Sequence, residues 1–230
     1  MAAGKLIWDE PEDKLYETGI QNMILFPMNN DGTYGEGVAW NGITAFNENP
    51  SGAEATKQYA DNTVYAVLIS PEQFGATLEA YQSPEEFDEC DGTVSVGKGL
   101  TIAQQTRKGF ALAYRTEIGS DANAGLGYKW HFVYGCKAAP SSRSHQTINE
   151  SPQMDTLSWE ITTTPVAVAG HKPTAHIVVN SVLVDDNDKM TSLETILFGQ
   201  DADAGNSKPA IASRLPKPEE LIAMFPASVG

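Results

Sequence analysis

The sequence predicts a mainly β protein: an antiparallel β-sandwich or barrel with one short flanking α-helix, long loops and terminal arms. Three observations carry this reading. Strict alternation of apolar and polar residues, the period of a half-buried strand, recurs in several segments. Further short runs rich in β-branched and aromatic residues are separated by Gly, Asn, Asp and Pro turns. Helix signals are confined to a few short stretches. A chain of 230 residues, 41% of them hydrophobic, can bury one large core without sulfur or metal.

In chain order, residues 1–20 are polar and read as an N-terminal arm, without the apolar stretch of a signal peptide. Strand-like runs cover 23–26 and 38–46. Residues 47–61 open with Asn-Glu-Asn-Pro-Ser-Gly, a strong turn signal, and read as a loop. Strand-like runs resume at 63–69, 76–81 and 93–96. Ser70-Pro-Glu-Gln-Phe74 and Ser83-Pro-Glu-Glu-Phe87 repeat one pattern: Ser caps, Pro starts, and Gln or Glu at the third position reaches back. Both read as one-turn corners.

The clearest alternation follows. Phe110, Leu112, Tyr114, Thr116 and Ile118 alternate with Ala111, Ala113, Arg115 and Glu117. Tyr128, Trp130, Phe132, Tyr134 and Cys136 alternate with Lys129, His131 and Lys137, with Val133 the exception, and the Gly-, Asp- and Asn-rich residues 120–127 join the two as a hairpin. Leu157, Trp159 and Ile161 mark another strand after a polar loop at 141–155, and 174–184 is β-rich. Thr191 and Glu194 form a capping box opening a two-turn helix, closed by Gly199. Residues 200–218 lack periodicity, and Pro218 starts a second short helix that Pro226 ends. The organisation is one domain over 21–199, an N-terminal arm over 1–20, and a C-terminal arm with a short helix over 200–230.

Fifteen Lys and Arg against thirty Asp and Glu give a net charge of −15. Tight nucleic-acid or anionic-lipid binding needs a basic face, which this composition disfavours. No apolar run approaches the roughly 20 residues of a membrane helix. Two cysteines, Cys90 and Cys136, are too few for a disulfide framework, as expected of a protein made in a reducing cytoplasm. Between Lys98 and His145 lie seven bases and two acids, so this basic stretch sits in a strongly acidic remainder. Two readings stay open: a solvated acidic surface, or complementary faces that meet between copies.

Motifs for chemistry are scarce. No G-x-S-x-G, H-E-x-x-H, C-x-x-C or P-loop pattern occurs. His131, His145, His171 and His176 are not spaced like a local zinc motif, and His131 reads as exposed on a polar strand face. Cys136 reads as a small buried hydrophobe, and Cys90 sits among acids that disfavour its thiolate. Asp185, Asp186 and Asp188 fail the EF-hand pattern, although a weak surface cation site stays open there. Trp8, Trp40, Trp130 and Trp159 could stack on sugars, but Trp130 and Trp159 belong to apolar faces. The expectation is no catalytic residues, no cofactor and no metal.

Lys5-Leu-Ile-Trp-Asp9, Leu15-Tyr-Glu-Thr-Gly19, Gly37-Val-Ala-Trp-Asn-Gly-Ile-Thr44 and Pro50-Ser-Gly-Ala-Glu54 are followed by Phe74-Gly-Ala-Thr-Leu-Glu-Ala-Tyr81, Glu86-Phe-Asp-Glu-Cys-Asp-Gly92, Gln104-Gln-Thr-Arg107 and Ser158-Trp-Glu-Ile-Thr-Thr-Thr-Pro165. In this order, over about residues 5–200, they resemble the major tail proteins of bacteriophages with long, non-contractile tails. The resemblance implies a structural virion protein, assembled in the host cytoplasm. Hexameric rings would stack into a tail tube around a tape measure protein, closed by tail terminator and tail-tip or baseplate proteins. Double-stranded DNA would pass through without specific binding, and no membrane is involved. Within that frame, Glu117 and Glu160 are expected to face the lumen. Glu48, Asn49, Pro50, Ser51, Gly52 and Glu54 are expected to reach an adjacent ring. Arg107, Lys108, Arg115 and Lys129 are expected to meet acids of a neighbouring subunit. The competing readings are a monomeric carbohydrate- or receptor-binding β-sandwich of a tail tip, the tube protein of a secretion apparatus and, last, an enzyme.

Overall fold

The computed structural model describes residues 8, 14–141, 143–145, 147, 154–203 and 208–226. Twelve strands are β1 (Leu15–Pro27), β2 (Val38–Ala39), β3 (Ile43–Glu48), β4 (Ala55–Ala60), β5 (Thr63–Ile69), β6 (Gly75–Ala80), β7 (Val94–Gly97), β8 (Leu100–Ile102), β9 (Phe110–Ser120), β10 (Gly127–Ala138), β11 (Leu157–Thr163) and β12 (His176–Asn180). Three helices join them: α1 (Asp88–Asp91), α2 (Asn187–Phe198) and α3 (Pro218–Met224). The protein is mainly β, as its alternation requires.

Eight strands form one antiparallel sheet in the order β2-β1-β9-β10-β11-β6-β3, with β12 pairing β10 beside β11. β2 and β3 stand at opposite ends of that order, yet only residues 40–42 separate them in the chain. The sheet must therefore curl. Its inner face holds Leu25, Leu78, Phe110, Leu112, Val133, Trp159 and Ile161, drawn from five strands into one cluster. Phe87, on a single 3-10 turn before α1, closes one end, with its ring 4.5 Å from Trp40 and 5.2 Å from Trp159. This turn is the second of the two Ser-Pro corners. The first is not helical: Gln73 instead exchanges backbone hydrogen bonds with Ser51.

A second layer covers the outer face of β1, β9 and β10. Met190, Leu193 and Leu197 of α2 and Leu221 of α3 pack on Phe26, Trp130 and Phe132. Ala111 and Ala113 lie under them, small enough for close approach, so β9 is buried on both faces rather than half-wet. α2 begins earlier than the Thr191–Glu194 signal implied. Asp186 accepts a hydrogen bond from the Asp188 N–H at 3.0 Å and caps the helix, which makes the acidic loop a helix start.

One glycine reverses a predicted face. The register of β10 against β9 shifts between Val133 and Cys136, where Gly135 has φ +62° and a Cβ would lie 2.2 Å from the Thr164 carbonyl oxygen. Trp130, Phe132 and Tyr134 face the helices, whereas Cys136 and Ala138 face the inner cluster. Cys136 is buried as expected, but on the opposite side from Trp130.

Both arms are also more integrated than their polarity implied. Residues 15–20 form the outer half of β1, paired with β9 from Leu15 opposite Ser120. Residues 1–7 and 9–13 lie outside the described region. Gln200 bridges Ile211, and the Tyr134 hydroxyl donates to the Pro216 carbonyl at 3.0 Å. α3 then docks through Leu221, held by a bidentate Arg214–Glu220 pair at 2.8 and 2.9 Å. Residues 204–207 and 227–230 of the C-terminal arm are outside the described region.

Candidate functional site

Two features depart from the apolar packing of the body. The first is a ribbon. Among the described residues, β4 and β5 pair only with each other and form no part of the eight-stranded sheet. Asp61 and Asn62, with φ of +50° and +62°, make the tight turn between them. β5 is apolar on both faces, and the exposed side chains include Tyr65 at 79%, Ile69 at 69%, Leu68 at 59% and Val67 at 51%. Water contact of this kind is unfavourable, and an isolated two-stranded ribbon is marginal by itself.

The segment expected to reach another ring forms the root of this ribbon. Glu48 ends β3. The Asn49 N–H donates to the Gly75 carbonyl at 2.7 Å and its side chain to the Thr77 hydroxyl at 3.0 Å. Pro50 lies between these bonds and Ser51, which pairs with Gln73 in both directions. Gly52 has φ +87° and a Cβ there would meet the Pro71 carbonyl at 2.2 Å. The Glu54 N–H donates to the Ser70 hydroxyl at 3.2 Å. Residues 55–60, read as loop, are the ladder partner of 63–69. Thr, Tyr and Ala in this stretch gave no alternation because neither face is buried.

The second feature is a polar pocket at the end of the curled sheet remote from Phe87. Inward positions of β9 pass from Phe110 and Leu112 to Tyr114 and Thr116, and those of β10 from Val133 to His131 and Lys129. Glu17 of β1 accepts from the Thr116 hydroxyl at 2.6 Å and from the Lys129 ammonium. Glu48 accepts from the Tyr114 hydroxyl at 2.8 Å. His131 is 6% exposed, so the expectation of an exposed residue is corrected: the polar-looking side of β10 faces the interior of the curl.

His131 Nε2 lies 3.0 Å from the Thr116 hydroxyl and 3.2 Å from Glu17 Oε1. The Thr116 proton is directed to Glu17, and a carboxylate only accepts, so Nε2 is the donor in this network. Nδ1 then carries a lone pair, and it faces His176 Nε2 at 3.2 Å. The two rings are clamped between aromatics. Tyr114 stacks on His131 at 4.6 Å and 3°, and Phe74 lies 4.6 Å from His176.

Burial pushes both imidazoles below the ordinary histidine range, with the neighbouring His176 adding to the effect at His131. Burial also pushes the Glu17 carboxyl up. The Lys129 and Thr116 hydrogen bonds and the nearby positive charge outweigh it and hold the group below its usual value. The Tyr114 phenol is raised by burial and by Glu48. His176 also lines a cleft of about 980 Å³ between the ribbon root, Phe74 and residues 165–175.

The remaining sequence-selected residues are dispersed. Glu160 is exposed on the outer face of β11, beside Thr77 and Glu79 of β6. Glu117 accepts from the Gln21 amide at 2.7 Å and borders a cavity with Arg115, Tyr128 and Asn187. Counted along β10, their positions are on the order of 35 Å apart. Each of the four selected bases faces an acid of its own chain: Arg107 with Asp91 at 3.3 Å, Lys108 with Glu89, Arg115 with Glu194 at 3.9 Å, and Lys129 with Glu17. Trp40, Trp130 and Trp159 are buried, leaving Trp8 as the one exposed tryptophan.

Asp185, Asp186 and Asp188 do not converge. Among the described residues, Glu48, His131 and His176 are the group of His, Cys, Asp or Glu side chains close enough to share a metal ion. Sequence reasoning missed this trio because 83 and 45 residues separate its members. The available signal was polar residues at inward positions of β10, and it required knowing which face was inward. Burial pushes the Cys90 thiol up to about 12, which leaves it unreactive. Searches against protein-family models and against curated proteins find no match to this chain.

Proposed function

We propose that this chain is a structural subunit that assembles with copies of itself into hexameric rings stacked as a tail tube. The observation that carries this reading is the β4–β5 ribbon. It presents apolar side chains on both faces, pairs with no other described strand, and is long enough to reach roughly 20 Å from the body. A neighbouring copy would bury those side chains and extend the ladder at its open edges. The net charge of −15 suits a conduit from which DNA phosphates are repelled, with Glu160 and Glu79 on an uncovered polar face as candidate lining. The bases at 107, 108, 115 and 129 serve the subunit's own fold first, so the ribbon rather than charge pairing is the principal fastener. The tape measure protein, tail terminator and tip proteins are the partners this role implies.

The carbohydrate-platform reading loses its support with three of four tryptophans in the core. Sedimentation velocity and negative-stain microscopy of the full chain over a wide concentration range test the proposal. Rings or tubes appearing above a threshold concentration are expected. A monomer at every concentration and ionic strength overturns it.

A further inference from the structure

The geometry points to a divalent transition-metal site, of the zinc class, formed by Glu48, His131 and His176 where β3, β10 and the start of β12 meet. Its basis is independent of the assembly reading. His131 Nδ1 and His176 Nε2 are 3.2 Å apart, and Glu48 Oε1 is 3.9 Å from each. Zinc–nitrogen bonds of about 2.05 Å in a tetrahedron put neighbouring donors about 3.3 Å apart. The two nitrogens therefore already stand at a tetrahedral edge. Glu48 needs to move by about half an ångström, and it sits at a strand end with a partly exposed side chain.

The surroundings have the form expected around metal-bound imidazole and carboxylate. The far nitrogen of His131 faces Glu17 and Thr116, which fixes its tautomer and turns Nδ1 toward the trio. Tyr114 donates to Glu48. Tyr114 stacks on His131 and Phe74 packs at 39° against His176, so little side-chain freedom is lost on binding. Two imidazoles and one carboxylate satisfy the preference of zinc, cobalt or nickel rather than of calcium or magnesium, which take oxygen. Three protein ligands leave a fourth place open to water, and the cleft beside His176 supplies its entry. Bound metal would pin the root of the β4–β5 ribbon to the body through Glu48.

The test uses the full chain stripped with chelator and titrated with zinc chloride alone, followed calorimetrically, and with cobalt(II) as a spectroscopic substitute. The inference expects one equivalent of zinc, a raised melting temperature, and a cobalt spectrum of four-coordinate intensity. Removal of one outer hydrogen-bond partner lowers metal affinity roughly 10- to 100-fold at known sites, so Glu17→Gln should fall in that range. Loss of a ligand in Glu48→Gln or His176→Gln should cost at least as much. Glu48→Gln lies at the pocket's rim and preserves shape, which guards against misreading an unfolded variant. Absence of zinc binding overturns the inference and leaves a neutral imidazole pair joined by one N–H···N hydrogen bond. Zinc binding unchanged in both ligand variants overturns it equally, placing the ion elsewhere.

Discussion

If the β4–β5 ribbon is the fastener, making its β5 face polar should disable assembly without unfolding the subunit. Val67 and Ile69 are two residues apart on β5 and so share a face; they are 51% and 69% exposed. Complete burial of such a side chain is worth about 1.5–3 kcal/mol. The parts still exposed therefore offer about 0.8–1.5 kcal/mol at Val67 and about 1–2 kcal/mol at Ile69. Together they give about 2–3.5 kcal/mol per docked ribbon. Threonine at both positions keeps β-branching, hence strand propensity, but must desolvate a hydroxyl to dock. Val67→Thr/Ile69→Thr should then raise the threshold concentration for rings or tubes about 30- to 300-fold at 1.4 kcal/mol per decade. Because both side chains are solvated in the free subunit, urea stability should stay within about 0.5 kcal/mol of wild type. Sedimentation velocity supplies the threshold and circular dichroism the stability. A threshold within threefold of wild type, with the fold intact, refutes the ribbon as the docking element.

Two further outcomes follow from the body of the fold. Gly135→Ala forces a side chain into a left-handed conformation, and its Cβ would lie 2.2 Å from the Thr164 carbonyl, so stability should fall by at least about 3 kcal/mol in urea; a loss under about 1 kcal/mol would contradict the bulge. Glu220 is held below its ordinary range first by its hydrogen bond to Arg214 and then by the Lys217 N–H, with burial opposing. A carboxylate whose folded pKa is depressed contributes stability that is complete above its unfolded value near 4.5 and disappears as pH falls through the folded one. Acid titration should therefore show wild type losing more stability below about pH 4.5 than Glu220→Gln; parallel curves would exclude the Arg214–Glu220 pair as an acid-sensitive clamp of α3.

Class, hairpin and helix existence were legible because they are local. The alternation at 110–118 and 128–134 marks β9 and β10. The Gly- and Asn-rich residues between them mark their turn, and Pro218 marks the first turn of α3. Legibility failed where one backbone exception has a distant cause. Gly135 swaps the faces of β10 because its missing Cβ admits Thr164, and no pattern in the strand announces that contact. β4 escaped notice since a strand with two wet faces has no period to read. The start of α2 was misplaced because the Asp186 side chain, rather than Thr191, caps it by accepting from the Asp188 N–H.

By itself the chain's order of residues determined an acidic, strand-rich body with two short helices, since these follow from side-chain periodicity, turn chemistry and charge. The tertiary structure alone decided which face of β10 is inside, that His131 and His176 meet Glu48, and that an apolar ribbon is left exposed among the described residues. Each of these depends on contacts between segments some 29 or more residues apart, or on the ribbon having no pairing partner among the described residues. Neither is encoded in the spacing of neighbours along the chain.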